Sequence, residues 1–284
     1  MKDSYIKVAA FILRIIDFQL YYRFCWLIVR NLQGTRIVKV LNFYIKFESN
    51  DPYWSRLISK RFRYEIELEN WLKNECSSDE FFIDCGANIG YWSIFVSKII
   101  GVKKFIAIEP NPRIFQMLLD NLKLNQLPQM ALEGAIGDLS HGASTTNLYL
   151  DTSPGLHVGA SIYRENISGV EILQVPLIGL CDVLEQAIQS NSSILLKLDV
   201  EGAEVLCFQQ IPISMRSRVR IIYEDHGRDL DCVTTKWLLA SKAYKIYFLQ
   251  TSGSIEITSI DTLSKLKKSK KKGYNLIAIP IYFS

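Results

Sequence analysis

Phe81-Phe82-Ile83-Asp84-Cys85-Gly86-Ala87-Asn88-Ile89-Gly90, with Ile106-Ala107-Ile108-Glu109-Pro110 further on, decides the fold. A short apolar run ends in an acid and a glycine-bearing turn, a helical pattern follows, and a second apolar run ends in another acid roughly 20 residues later. This is the pattern of a nucleoside-binding β-α-β unit. Its glycines let the backbone approach a ligand, and the carboxylate closing the second strand takes both ribose hydroxyls. Asn88 tolerates the left-handed conformation that most residues avoid.

The turn departs from the dinucleotide fingerprint G-x-G-x-x-G, which aims a glycine-lined helix start at a pyrophosphate. Here the middle glycine is missing and Asp84 is a poor neighbour for a diphosphate. A cationic nucleoside suits it better. S-adenosylmethionine offers a ribose for Glu109, an ammonium for the Asp84 region and a carboxylate for the amides of the turn. An ordinary strand-turn-helix with capping residues is the bland alternative. A nicotinamide-dependent oxidoreductase is another, weakened by the missing glycine.

Outward from this unit, apolar strands alternate with helices, as in a parallel sheet covered on both faces. Strands are predicted at 81–84, 105–109, 130–136, 194–199, 218–223, 245–249 and 275–280, and helices at 91–100, 112–124, 181–189, 203–210 and 234–242. That is an α/β, Rossmann-like seven-stranded sheet over residues 76–284. An insertion at about 145–176 carries a hairpin, Asn147–Leu150 against Ile172–Val175, and is placed to lie over the pocket. Residues 1–75 read as an N-terminal helical extension: an aromatic-rich helix over 4–32, an irregular or short-stranded stretch over 35–54, and an amphipathic helix over 54–73.

The chain has 284 residues, 49% hydrophobic, with a net charge of +4. So mild an excess argues against nucleic acid as the main partner. Six cysteines without C-x-x-C spacing read as reduced thiols in a cytoplasmic protein. Arg14, Asp17, Arg23 and Arg30 interrupt the first helix, so it is expected to pack on the domain, pair two copies or lie on a membrane surface rather than span it. The lysines between 265 and 272 read as a solvated loop.

Two strand ends carry candidate chemistry. Lys197-Leu198-Asp199-Val200-Glu201-Gly202-Ala203-Glu204 closes the fourth strand and Ile221-Ile222-Tyr223-Glu224-Asp225-His226-Gly227 the fifth. Asp199 and Glu201 sit nearest the carboxyl edge, where open sheets keep their sites, whereas Glu204 suits the helix dipole. His226 is the right type to accept a proton at neutral pH, with Glu224 to orient it or hold the substrate. Asp199, Glu201, Glu224 and His226 also suit a divalent ion, a reading not favoured here. His141 and His157 fall in loops, His157 inside the insertion.

Together these blocks resemble the FkbM family of class I S-adenosylmethionine-dependent methyltransferases, over roughly residues 80–250. The resemblance implies methyl transfer to a hydroxyl of a sugar, glycoside or related small molecule. It also implies cofactor contacts by Asp84, Gly86, Asn88, Gly90, Glu109 and Asn111, with Asp138 near the adenine. Where the family carries a second acid before the fourth strand, this chain has Cys181. A non-catalytic membrane-associated binding protein, using the first helix and the lysines, is the reading from another class.

Overall fold

The computed structural model describes residues 31–58, 62–139, 142–151, 160–162, 170–189, 192–227, 229–270 and 272–282. Period-two alternation makes its first two strands. Phe43, Ile45 and Phe47 of β2 (Phe43–Glu48) point inward while their neighbours face out, and β1 (Thr35–Val40) pairs with it as an antiparallel hairpin from Thr35↔Glu48 to Val40↔Phe43. A single 3-10 turn follows at Trp54–Ile58, and α1 spans Ile66–Glu75. The predicted N-terminal helical extension is therefore corrected: its middle is a hairpin, and its second helix is two separate pieces. The helix predicted over 4–32 lies outside the described residues apart from 31 and 32, which are not helical. Among the described residues no helix is long and apolar enough to cross a membrane.

The chain then runs through β3 (Phe81–Cys85), α2 (Tyr91–Phe95, prolonged by a wide turn at Val96–Ile100), β4 (Lys104–Glu109), α3 (Pro112–Leu124) and β5 (Ala131–Glu133). A second sheet draws on β6 (Ala135–Ile136), β7 (Thr145–Asp151), β8 (Ala160–Ser161) and β9 (Val170–Ile178). Next come α4 (Leu180–Ile188), β10 (Ile194–Leu198), α5 (Glu204–Gln209), β11 (Val219–His226), α6 (Val233–Ser241), β12 (Tyr244–Gln250), β13 (Gly253–Ile257), α7 (Ile260–Leu266) and β14 (Gly273–Pro280). The main sheet has the order β13-β12-β14-β11-β10-β3-β4-β5, parallel from β5 to β11 and antiparallel beyond.

Two departures from expectation have local causes. The sheet has eight strands rather than seven because β13, in which only Ile257 is buried, extends the edge without an apolar run to announce it. The predicted strand 130–136 splits at Gly134, one half pairing with β4 and the other with β9 in the insertion sheet. Within that sheet Asn147 pairs with Gln174 and Leu148 with Leu173, where the insertion hairpin was expected.

Alternation along β3 and β10 sorts the core into two faces. Ile83 and Leu196 pack with Leu184 of α4, Phe208 of α5 and Leu238 of α6, while Phe82 and Leu195 pack with Phe95, Leu118 and Leu122. Phe43, Ile45, Leu68 and Leu72 complete the second face, so the hairpin and α1 close the same core as the sheet. Each such side chain contributes about 1.5 to 3 kcal/mol by leaving water. Asn121 and Asn125 of α3 dock the hairpin. Asn121 Oδ1 accepts the Lys46 N–H at 2.6 Å and its amide donates to Lys46 O at 2.9 Å, while Asn125 does the same for Tyr44 at 2.8 and 2.7 Å. Two side-chain amides thus stand in for a neighbouring strand.

Candidate active site

From β3 the chain crosses to β4 on one side, whereas from β10 it crosses to β11 on the other, so β3 and β10 flank the topological switch point. Open α/β sheets bind ligands outside the strand ends at that point. A cavity of about 510 Å³ opens there, walled by the ends of β3, β4, β10 and β11 and by the segment that precedes α1.

Glu109 ends β4 and is 5% exposed. Its Oε2 accepts the Asn88 N–H and its Oε1 the Asn111 N–H, both at 2.9 Å. Burial raises its pKa to about 7 against the pull of those two amides. Asn88 holds φ 51°, and its Oδ1 accepts from Trp54 Nε1 at 3.0 Å. Gly86, at φ 77°, lies so close to the Asp199 carbonyl that a methyl group in place of its hydrogen would overlap it.

In the cavity wall Lys197, 4% exposed, reaches Asp199 Oδ2 at 3.1 Å and Asp84 Oδ1 at 3.9 Å. Burial opposes its charge, but the carboxylates of Asp199, Asp84 and Glu65 outweigh it and hold the ammonium above the ordinary lysine range. Asp84 is fully buried and accepts from Ser93 Oγ at 2.7 Å. On the far side His226 Nε2 lies 3.4 Å from Glu201 Oε2 and its Nδ1 4.0 Å from Glu224 Oε2. The hydrogen bond to Glu201 raises the histidine pKa, burial opposes this, and Glu224, Glu201 and Asp199 add to it. Burial first, then Asp199, pushes Glu224 up in turn. The acids around His226 thus favour its protonated form.

The structure brings Gly86, Asn88, Glu109, Asp199, Glu201, Glu224 and His226 to one cavity. Asp84, Gly90, Asn111 and Asp138 do not line it. Asp84 is a buried partner of Lys197, Gly90 starts α2 against Leu118, Asn111 caps α3 by accepting the Arg113 N–H, and Asp138 is exposed beyond β6. The structure thus places Asp84 and Asp138, expected at the ammonium and the adenine, outside the cavity lining. Cys181 also lies away from the cavity, its thiol 3.7 Å from Glu185. His141 and His157 lie outside the described residues. Among the described residues no group of three or more His, Cys, Asp or Glu side chains is arranged to hold a metal ion.

Sequence reasoning missed two contributors. Tyr53, Trp54, Tyr64, Glu65, Tyr91 and Trp92 form a wall in which Tyr64 meets Tyr91 edge-on at 4.8 Å and Tyr91 stacks on Trp54 at 6.0 Å. Asp51-Pro52 was legible as a turn, and Asp51 Oδ1 does cap it by accepting the Tyr53 and Trp54 N–H groups. The lysine segment is the second. Lys267 is not solvated: it pairs with the buried Asp225 and donates to the His226 and Asp229 carbonyls at 2.9 and 2.8 Å, and Lys272 reaches the cavity wall.

Residues 84–241 match the methyltransferase FkbM domain. The chain belongs to the FkbM methyltransferase family. Methyltransferase sdnD of Sordaria araneosa is 27% identical over 205 residues, 56% of this chain and 78% of that protein. Methyltransferase 1 of Beauveria bassiana is 23% identical over 186 residues, 59% of this chain and 73% of its own. Among solved structures, methyltransferase FkbM from Methylobacillus flagellatus KT aligns over 78% of this chain with 14% identity and a TM-score of 0.40. This chain spans under half, 46%, of its length. The family match covers the β3 turn, Tyr91, Trp92, Glu109, Asp199, Glu201, Glu224 and His226, and begins after Tyr53, Trp54, Tyr64 and Glu65 of the aromatic wall.

Proposed function

We propose that this FkbM-family protein transfers a methyl group from S-adenosylmethionine to a hydroxyl oxygen of a sugar, glycoside or related small molecule. The observation that carries the reading is Glu109. Its two oxygens are each fixed by one backbone N–H and turn to the cavity at the switch point, which leaves further lone pairs for a pair of vicinal hydroxyls. The donor set fits the cofactor in charge as well, since Glu65, Asp199, Glu201 and Glu224 line the rest of the cavity and suit a sulfonium. When bound, the cofactor supplies an electrophilic methyl that needs no protein nucleophile.

What remains for the chain is positioning, exclusion of water and management of one proton. The aromatic wall excludes water. Glu201, Glu224 and His226 present hydrogen-bonding groups to the incoming hydroxyl, and His226, whose acidic neighbours favour its protonated form, orients it rather than taking its proton. On this reading residues 76–284 form the methyltransferase domain, with the insertion at about 145–176 over its mouth. The partner is a small-molecule or glycan acceptor rather than nucleic acid. A cytoplasmic site of action, a peripheral membrane contact and pairing of two copies through the first 30 residues belong to the same proposal.

Calorimetry with S-adenosylhomocysteine tests it. The wild type is expected to bind, and Glu109→Ala to lose about 1.5 to 3 kcal/mol of that binding with the charged acceptor gone. Unchanged affinity in the variant, or preferential binding of NAD, would sink the cofactor assignment.

A further inference from the structure

Glu65 has three features that its place in the chain does not explain. Its backbone is left-handed, φ 39° and ψ 61°, a conformation costly for a residue with a long side chain. It occupies the position before the first turn of α1, where serine or aspartate would cap the helix, yet its side chain caps nothing. Instead the carboxylate turns into the cavity, where Trp92 Nε1 donates to its Oε2 at 3.1 Å. Two other residues with side chains held left-handed, Asn88 and Glu201, line the same cavity. Strain of this kind persists where the surrounding structure imposes it, and it gathers at functional sites.

The surroundings of Glu65 set it apart from Asp199, Glu201 and Glu224. Asp199 is engaged by Lys197 at 3.1 Å, and Glu201 and Glu224 share His226. Glu65 is oriented by the Trp92 indole, and although a Tyr64 hydrogen bond and the Lys197 charge favour its ionised form, no cation among the described residues pairs with it directly. Burial raises its pKa to about 7, Lys197 opposes and Asp199 adds, so the group exchanges a proton near neutrality.

We propose that Glu65, from outside the matched family domain, is the base that takes the proton of the acceptor hydroxyl. The inference rests on the S-adenosylmethionine reading above. In the step, the acceptor oxygen bonds to the methyl carbon, the carbon–sulfur bond breaks with its electron pair going to sulfur, and the hydroxyl proton passes to the Glu65 carboxylate. Charge balances: the cation lost at sulfur reappears as the proton on Glu65.

The test needs no acceptor. Sinefungin resembles the cofactor but carries a primary amine where the transferable methyl would be, so its ammonium probes the carboxylate that faces that position. Dissociation constants of sinefungin and of S-adenosylhomocysteine are measured for the wild type, Glu65→Gln and Glu65→Asp. In Glu65→Gln the preference for sinefungin is expected to fall by about tenfold or more, the worth of a charged hydrogen bond. Affinity for S-adenosylhomocysteine should stay unchanged, which also shows that the variant is folded. Glu65→Asp keeps the charge and should retain part of the preference. An unchanged ratio in Glu65→Gln overturns the assignment. So does a parallel loss of both ligands in the two variants, which would make Glu65 a structural residue. Failure of the wild type to bind S-adenosylhomocysteine overturns the cofactor reading instead, and this inference with it.

Discussion

Two regions wall one cavity and differ in how their sequence encodes them. The strand ends, Gly86 to Asn88, Glu109, Asp199 to Glu201 and Glu224 to His226, are fixed by backbone rules: an open sheet must turn at its carboxyl edge, and the turns need particular residues. The stretches 53–58 and 62–67 obey no such rule. Their aromatic side chains are placed by contacts with Tyr91 and Trp92 and by the hairpin beneath them, partners that are distant or generic in sequence. On the proposed reading the first region carries stability and cofactor geometry together, whereas the second adds shape and one acid. The difference predicts that substitutions in the first will cost more.

The largest effect should come from Lys197→Met. It removes the cation that Asp84 and Asp199 share behind the strand ends and leaves Asp84, with no exposure, as an isolated buried charge. Breaking a buried pair from one side typically costs about 3 to 5 kcal/mol. Chemical denaturation of Lys197→Met and of the double variant Asp84→Asn/Lys197→Met measures it, and the double variant should recover much of the loss. If Lys197→Met costs less than Trp54→Phe in the other region, the contrast between the regions is wrong.

What the sequence made legible follows the same line. The β3 turn, Glu109, and the acids closing β10 and β11 could be placed from spacing because each ends an apolar run. Asp84 was read as a ligand contact because it ends such a run too, but alternation turns it toward Ser93 and Lys197 inside the sheet. Lys267 was read as solvent-facing from its lysine neighbours, and only the fold reveals that Asp225 lies opposite. Glu65 sat in an apparent amphipathic helix with Glu67 and Glu69. Nothing local says that the helix begins at Ile66 and that Glu65 turns the other way.

A second, smaller effect concerns pH and separates stability from binding. The folded pKa of Glu109 lies near 7, above the ordinary glutamate value of 4.5. Folding therefore favours the protonated group, and its share of stability is complete below the unfolded value and is lost as pH rises through about 7. Ligand affinity runs the opposite way, because only the ionised carboxylate accepts two hydroxyls. A group titrating near 7 goes from about one-tenth to about nine-tenths ionised between pH 6 and 8, so S-adenosylhomocysteine affinity should rise by just under tenfold. Calorimetry across that range in the wild type and in Glu109→Gln checks it; an equal rise in the variant would assign the titration to another group.

The smallest effect joins the two regions. Trp54 belongs to the aromatic wall, yet its Nε1–H is spent on Asn88 Oδ1, and Asn88 in turn gives its N–H to Glu109. Trp54→Phe keeps most of the apolar bulk and removes that donor. Asn88 Oδ1 still accepts from the Ile89 N–H at 2.9 Å, so the loss is that of one ordinary hydrogen bond, about 0.5 to 1.5 kcal/mol. The informative quantity is where the loss is read. If the wall merely shapes the cavity, stability falls slightly and S-adenosylhomocysteine binding is untouched. If it also steadies the strand-end turn, as the chain from Trp54 through Asn88 to Glu109 indicates, binding weakens by a comparable amount. Glu109→Gln/Trp54→Phe should then lose less than the sum of its parts, because both changes act on one hydrogen-bonded chain.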